Sequence, residues 1–298
     1  MHDFLKDSIK ERVSFVEGED GEDFNGHGTS VASIIKTVAP DIEIYSAKVL
    51  DRHGRGKLGW ILSSYNYAIE KRANLMNLSL GSPINCCIST LTIAHFKAIS
   101  LGVTPVYASG NFGPGKLSCP AMIRGTISVG SVSTDGRVAE FTSCGVGCFG
   151  DRKPLVVEYG GSYGECLVTP WSPNSTILSD YQACVRGTSQ ATPFLTGLLA
   201  LGIQEYVKDR GATPSYYDIM GWIYASTDAF EGCKGRGVVK GDRLSLAVKT
   251  APSAFIPLSM VAFAEGLKSI MKSPVLRKAV LPFLPVPPIF KWMMWLVT

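Results

Sequence analysis

The chain has 298 residues and a formal net charge of +4, from 29 basic and 25 acidic side chains. Its hydrophobic content of 46% and charged content of 18% are typical of a folded protein and exclude a disordered one. The charge is mild and scattered, with no basic run beyond pairs such as Arg277-Lys278, so nucleic-acid binding is not indicated. The length permits one large domain with an appendage.

Helical and strand-like patterns alternate between residues 26 and 206. The spacing of apolar residues predicts helices over 26–38, 58–71 and 91–101, and strands over 42–50, 75–80, 103–108 and 127–132. Strand–helix–strand alternation of this length produces a parallel sheet covered by helices on both faces. The sequence therefore predicts an α/β fold with a mostly parallel sheet between two helical layers.

Two short segments carry side chains suited to nucleophilic catalysis. His27 has glycine on both sides, so a bound chain can approach it without meeting a Cβ atom. Ser189 begins an apolar, helix-like run, where free backbone N–H groups can stabilise an oxyanion. Together with Asn111, these residues fall at strand–helix junctions, where reactive groups collect in parallel sheets. The pair is typical of the base and nucleophile of a serine hydrolase.

Each of these residues also has a purely structural interpretation. His27 can be a turn residue, and Ser189 can cap a helix, since serine is a preferred N-cap. Asn111 can occupy a left-handed turn before Gly113, because asparagine tolerates that conformation. Residues 79–81 can be an ordinary strand end. The presence of all these features in one chain favours the catalytic interpretation.

The eight cysteines, an even number, permit up to four disulfides without specifying their pairing. Disulfides indicate a secreted protein, and free buried thiols are the alternative. Zinc binding is not indicated, because Cys144 and Cys148 have no second ligand pair at a matching distance. We interpret His53 as a turn residue and His95 as a helix-surface residue. The residues after Met1 are charged and contain no apolar signal-peptide core, so a secretory assignment requires a different original N-terminus.

Six segments, in the same order along the chain, resemble the motifs of subtilisin-like serine proteases (subtilases). Residues 23–32, DFNGHGTSVA, resemble the family's histidine motif, and residues 187–193, GTSQATP, resemble its nucleophile motif. Residues 108–111, ASGN, resemble the segment whose asparagine contributes to the oxyanion hole. The other three resemble the strand and turn after the histidine motif, the substrate-pairing segment and the strand behind the S1 pocket: 47–51, 77–81 and 119–131.

The resemblance covers roughly residues 2–250, and residues 1–250 are assigned as a peptidase domain that is incomplete at its N-terminus. The resemblance implies hydrolysis of peptide bonds in a polypeptide substrate. It implies that Ser189 attacks, that His27 acts as general base and then general acid, and that Asn111 holds the oxyanion with the Ser189 N–H. No cofactor or catalytic metal is expected, and structural calcium is left open because no calcium site is assignable from the sequence. A monomer is expected. The resemblance implies these substrate-binding residues: Ser79, Leu80, Gly81, Ala108, Ser109 and Gly110.

The family's aspartate is missing from its expected place. In the family it ends an apolar strand followed by Thr-Gly or Ser-Gly, and residues 1–26 contain no such segment. Residues 2–5 instead resemble the stretch that follows this aspartate, so we expect it before Met1 and assign no acid. The strand that carries it lies inside the family's sheet, and its absence is expected to leave neighbouring backbone unpaired. A catalytically inactive, peptide-binding relative is the alternative function.

The last segment, residues 251–298, is apolar and rich in proline. A membrane-spanning helix needs about 20 mostly apolar residues and tolerates such proline density poorly. We expect a tail that packs on the domain or adsorbs to a surface. A disordered tail that does not belong to the family domain is the second alternative, and a membrane span is the least favoured one.

Overall fold

The structure is a computed structural model that describes residues 1–178 and 180–250. Its α-helices are α1 (His27–Val38), α2 (Leu58–Glu70), α3 (Thr90–Ser100), α4 (Thr188–Arg210), α5 (Tyr216–Ser226) and α6 (Gly241–Thr250). Its strands are β1 (Ile9–Ser14), β2 (Ile44–Lys48), β3 (Leu75–Leu78), β4 (Thr104–Ala108), β5 (Ile127–Val132), β6 (Gly145–Val146), β7 (Arg152–Lys153), β8 (Val156–Tyr159), β9 (Leu167–Pro170) and β10 (Gln182–Val185).

A parallel sheet of four strands, in the order β3-β4-β5-β8, forms the centre of the molecule. Strands β4 and β5 contain no charged side chain and are buried along their whole length, as is usual in the interior of a parallel sheet. Strands β1 and β2 form a second parallel pair, and two antiparallel pairs, β6-β7 and β9-β10, lie outside the central sheet. The predicted α/β class with a mostly parallel sheet is confirmed.

Helices cover both faces of the central sheet. On one face α4, α5 and α6 form an apolar core with β5 and β8, in which Leu195, Trp222 and Ile223 are fully buried. On the other face α2 and α3 pack with β3 and β4 around the fully buried Tyr65 and Tyr107. The two cores give the predicted arrangement of a sheet between helical layers.

The prediction for His95 is wrong. This residue lies on α3 with an exposed fraction of 0%, and its Nδ1 is 2.7 Å from the Tyr107 hydroxyl. Tyr107 in turn contacts the Tyr65 hydroxyl at 2.7 Å. The sequence did not reveal this partner because Tyr107 lies on β4, and the side of α3 that meets this strand is set only when the helix packs on the sheet.

All eight cysteines pair, as Cys86–Cys119, Cys87–Cys148, Cys144–Cys233 and Cys166–Cys184. The disulfide interpretation therefore replaces the free-thiol alternative. Within residues 1–178 and 180–250, no group of three acidic, histidine or cysteine side chains is arranged to hold a metal ion. No helix in this same part of the chain is long and apolar enough to cross a membrane. The expectations for residues 251–298 lie outside the described residues.

Candidate active site

His27, Asn111 and Ser189 line a single cavity of about 1110 Å³. His27 is the first residue of α1, Ser189 is the second residue of α4, and Asn111 follows the carboxyl end of β4. Each residue therefore lies at a helix start or a strand end, as the parallel-sheet pattern predicts. The structure thus brings together three residues that are widely separated in the sequence.

The Ser189 side chain is held by the strand end at Ser79. Its Oγ donates to the Ser79 carbonyl oxygen at 3.2 Å, and the Ser79 Oγ donates to the Ser189 carbonyl oxygen at 2.9 Å. Asn77 donates to the Ser79 Oγ at 3.0 Å. Within the described residues, no hydrogen bond joins the Ser189 Oγ to His27. Hydrogen bonds of this kind are often long before a substrate is bound.

Asn111 is oriented by the residue before the serine. Its Oδ1 accepts from the Thr188 N–H at 2.9 Å and from the Thr188 Oγ1 at 3.0 Å. This leaves the Nδ2 group as a donor without an acceptor among the residues that the structure describes. The Ser189 N–H, in the first turn of α4, is likewise unbonded in that part of the chain. Two such donors on one cavity are suited to stabilising an oxyanion.

His27 depends on a glycine immediately before it. Gly26 has φ of 105°, a left-handed conformation that favours glycine. A Cβ atom on Gly26 would stand 2.0 Å from Cε2 of Trp171, so the indole ring also requires glycine there. Burial lowers the pKa of His27, and the charge of Asp23 partly offsets this shift. A neutral imidazole is the form that can accept a proton from a serine.

Asp23 accepts hydrogen bonds from the loop before α1 and from the first turn of that helix. Its Oδ1 accepts from the Gly26 N–H at 2.8 Å, and its Oδ2 accepts from the N–H and Oγ1 of Thr29, both at 2.8 Å. These bonds satisfy N–H groups at the start of the helix. No described carboxylate is hydrogen-bonded to His27, and Asp23 acts on it only through its charge.

Five of the six expected substrate-binding residues line the cavity, and the sixth does not. The five are Ser79, Leu80, Gly81, Ala108 and Gly110. The expectation for Ser109 is not met, because its exposed fraction is 0% and it does not line the cavity. The Ser109 N–H donates to Val129 and its carbonyl accepts from Ser118, so its backbone is also occupied. The alternation of side chains along an extended segment turns this residue inward.

Three residues that shape the site were not found from the sequence. Thr188 orients Asn111, Trp171 packs on Gly26, and Ser118 lies between two of the cavity segments. A Cβ atom on Gly81 would be 2.7 Å from the Ser118 Oγ, which shows how closely these segments approach. The glycines beside the predicted catalytic residues indicated that another group packs closely there. They did not identify which side chain occupies the space that a glycine leaves.

Comparison with known proteins agrees with this geometry. Residues 2–228 match the profile of the peptidase S8 family, described as the subtilase family. The chain is 33% identical over 214 residues to a thermostable alkaline protease of Halalkalibacterium halodurans, which covers 68% of this chain and 52% of that protein. It is 36% identical over 204 residues to subtilisin BL of Lederbergia lenta, which covers 65% of this chain and 69% of that protein.

The major intracellular serine protease of Bacillus subtilis is 32% identical over 228 residues, which covers 70% of this chain and 66% of that protein. Among solved structures, that of a lanthipeptide protease superposes with a TM-score of 0.70 and 23% identity, covering 84% of each chain. This likeness supports the fold. The chain spans about half the length of the first curated relatives that it matches.

Proposed function

Because the chain belongs to the subtilase family, we propose that it is a serine endopeptidase domain that hydrolyses peptide bonds in polypeptide substrates. The placement of His27, Asn111 and Ser189 on one cavity is the observation that supports this function. The relatives named above are proteases, which also supports the proposal.

In the proposed mechanism Ser189 attacks the scissile carbonyl carbon while His27 takes up its proton. The Asn111 Nδ2 and the Ser189 N–H then stabilise the charge on the carbonyl oxygen of the tetrahedral intermediate. His27 next donates its proton to the leaving amine, and a water molecule hydrolyses the acyl-enzyme with His27 again as base. The lowered pKa of His27 keeps its imidazole neutral for the first step.

Substrate would bind in an extended form along two segments of the cavity. Ser79, Leu80 and Gly81 border it on one side, with Ala108 and Gly110 on the other. A Cβ atom on Gly81 would stand 2.7 Å from the Ser118 Oγ, and one on Gly110 would stand 2.8 Å from the Ser143 Oγ, so glycine at both positions permits the close packing behind these walls. We propose a monomeric enzyme of an oxidising, secretory compartment, since four disulfides persist in such surroundings.

We further propose that residues 1–298 alone turn over substrate slowly. Asp23 is engaged by backbone donors, so no carboxylate fixes the His27 tautomer within the described residues. Loss of that acid in well-characterised serine proteases, a subtilisin among them, lowers kcat by about 10⁴-fold. An inactive protein that binds peptides in the same groove is the second candidate, favoured by the bond from Ser189 to Ser79 in place of one to His27.

A fluorophosphonate probe tests the proposed function directly. We expect slow covalent labelling of Ser189, detected by intact mass, that disappears in Ser189→Ala and falls strongly in His27→Ala. Asn111→Ala should slow labelling by about 10²–10³-fold without weakening peptide binding. Asn66→Ala, on the exposed surface of α2, is the matched control and should label like the parent. A folded parent that binds peptide but labels no faster than Ser189→Ala would instead identify the inactive binding protein.

A further inference from the structure

Two asparagines of this chain begin the pattern Asn-x-Ser/Thr, in which x is not proline. They are Asn77, in Asn77-Leu78-Ser79, and Asn174, in Asn174-Ser175-Thr176. The pattern is the acceptor for asparagine-linked glycans in secreted proteins, and a folded protein can carry a glycan only where the surface leaves room for a bulky group. The structure places these two asparagines in opposite surroundings.

Asn174 lies at the tip of an exposed turn. The Ser175 N–H donates to the Ser172 carbonyl oxygen at 3.1 Å, which closes a four-residue turn with Pro173 and Asn174 at its centre. Proline suits the first central position of such a turn because its φ is already fixed. Pro173 and Asn174 are both exposed. A substituent on the Asn174 side chain would therefore extend into solvent.

The side-chain amide of Asn174 can accept such a substituent without losing its present contact. Its Nδ2 donates to the Glu22 Oε2 at 3.2 Å, close to the protein surface. An asparagine Nδ2 carries two N–H groups, so one remains for this bond when the other is replaced. The bond to Glu22 is therefore compatible with a glycan on Nδ2.

Asn77 is enclosed by the fold. It lies on β3, where its Nδ2 donates to the Ser79 Oγ at 3.0 Å and its Oδ1 accepts from the Thr196 Oγ1 at 2.9 Å. Both hydroxyl groups belong to buried residues. A glycan on this amide would have to separate β3 from α4, which carries Thr196. The native fold can thus carry a glycan at Asn174 and excludes one at Asn77.

The turn also supports the loop before His27. The Phe24 carbonyl oxygen accepts from the Thr176 N–H at 2.8 Å and from the Thr176 Oγ1 at 3.1 Å. Residues 21–25 line the cavity of the candidate active site, whereas Asn174 does not. A group attached to Asn174 would therefore stand beside the rim of this cavity, on the side of the histidine, without entering it.

We propose that Asn174 is an acceptor site for an asparagine-linked glycan. In the attachment, the Asn174 Nδ2 forms a C–N bond to the anomeric carbon of an N-acetylhexosamine on a lipid-linked oligosaccharide diphosphate. The bond from that carbon to the diphosphate oxygen breaks, the lipid diphosphate leaves, and one Nδ2 proton passes to a base of the transferase. This site requires the secretory compartment proposed above, and its use does not depend on peptidase activity.

Secretion of the full chain from a eukaryotic host tests this proposal. Residues 1–298 are joined to a cleavable secretion signal, and the released protein is mapped by peptide mass before and after an N-glycan amidase, which converts a glycosylated asparagine to aspartate. We expect a glycan on the peptide that contains Asn174 and none on the peptide that contains Asn77. Asn174→Gln and Thr176→Ala should each abolish the glycan, whereas the matched control Thr176→Ser, which keeps the hydroxyl of the pattern, should retain it.

Release of disulfide-bonded protein with an unmodified Asn174 overturns the proposal and leaves the secretory compartment standing. A glycan on Asn77 in the released protein also overturns it, because the contrast between the two sites would then be false. If the chain stays inside the cell, the same mapping is made on the cell-associated protein, and absence of a glycan on Asn174 there has the same meaning. Labelling of Ser189 by the fluorophosphonate probe is scored separately, and its failure would count against the peptidase alone.

Discussion

Ser79 and Ser189 are joined by two reciprocal hydrogen bonds, in which each hydroxyl donates to the carbonyl oxygen of the other residue. The serine at the start of α4 is thereby tied to the segment that follows β3. This contact fixes the distance between the proposed nucleophile and one wall of the substrate groove.

We expect Ser79→Ala to destabilise the protein by about 1 kcal/mol, because it leaves the Ser189 carbonyl without its donor. Ser109→Ala is the matched control, since the Ser109 Oγ is buried and has no hydrogen-bond partner among the described residues. Removal of that hydroxyl should be neutral or stabilising. Urea denaturation of both variants measures the difference, and an equal loss in both would contradict the assigned contact.

The two glycines on either side of His27, Gly26 and Gly28, allow a second comparison. Gly26→Ala places a Cβ on left-handed backbone, 2.0 Å from the Trp171 ring, and should cost more than about 2 kcal/mol. Gly28→Ala meets its first neighbour at 3.4 Å inside α1 and should be neutral or stabilising by a few tenths of a kcal/mol. Thermal melts decide between them, and similar Tm values would show that Trp171 moves away without cost.

Glu158 makes folding depend on pH. Burial raises the pKa of this β8 carboxyl to about 8 from its ordinary 4.5, while its Oε1 accepts from the Val239 N–H at 2.9 Å. Between these two pKa values the unfolded chain has released the proton and the native protein still holds it. The contribution of Glu158 to the free energy of unfolding is therefore complete below about pH 4.5. It falls by about 1.4 kcal/mol per pH unit as the pH rises from there to about 8.

Glu158→Gln keeps the acceptor oxygen and removes the proton. Its free energy of unfolding should show a shallower decline across that pH range than the parent's, as measured by urea titrations at five pH values. Parallel pH profiles for the two proteins would mean that Glu158 is ionised in the native state.

A buried ammonium group gives a fourth test. Lys153 is 2% exposed, and its Nζ donates to the Thr126 carbonyl at 2.8 Å and contacts the Asp151 Oδ2 at 3.0 Å. Asp151→Ala removes the only acidic partner of this group among the described residues and should cost about 3–5 kcal/mol. Lys153→Met, which removes the buried charge itself, should cost clearly less. The reverse order in urea denaturation would show that the lysine is neutral.

The sequence predicted those parts of the fold that have local causes. The uncharged, mostly apolar sequences of β4 and β5 and the helical spacing of α2 were sufficient to locate these elements. Strand β1 was missed because Lys10, Glu11 and Arg12 place charged side chains on both of its faces, and only its pairing with β2 makes it a strand. The disulfide connectivity, like the contact between Trp171 and Gly26, depends on residues that approach only after folding.

The positions of the candidate site residues could also be predicted from local sequence patterns, but not the directions of their side chains. His27, Asn111 and Ser189 each mark a junction that the strand–helix pattern places at one edge of the sheet. The orientation of a side chain at such a junction was harder to predict from the sequence. Ser109 lies next to Gly110 in the same motif, yet it points into the core because the extended backbone alternates.

The four disulfides divide the chain unevenly, since every cysteine lies at or after Cys86. Among the described residues, the segment that contains β1, α1 and β2 has no covalent cross-link. It is held by α1 against α4, where a Cβ on Gly197 would come within 2.6 Å of Val38, and by bonds from residues 169–176, such as Thr169 Oγ1 to Ser30 Oγ at 2.9 Å. These last residues lie within the loop that Cys166–Cys184 closes, so a reducing agent that loosens this loop would also reach the surroundings of His27, although no disulfide touches the histidine's own segment.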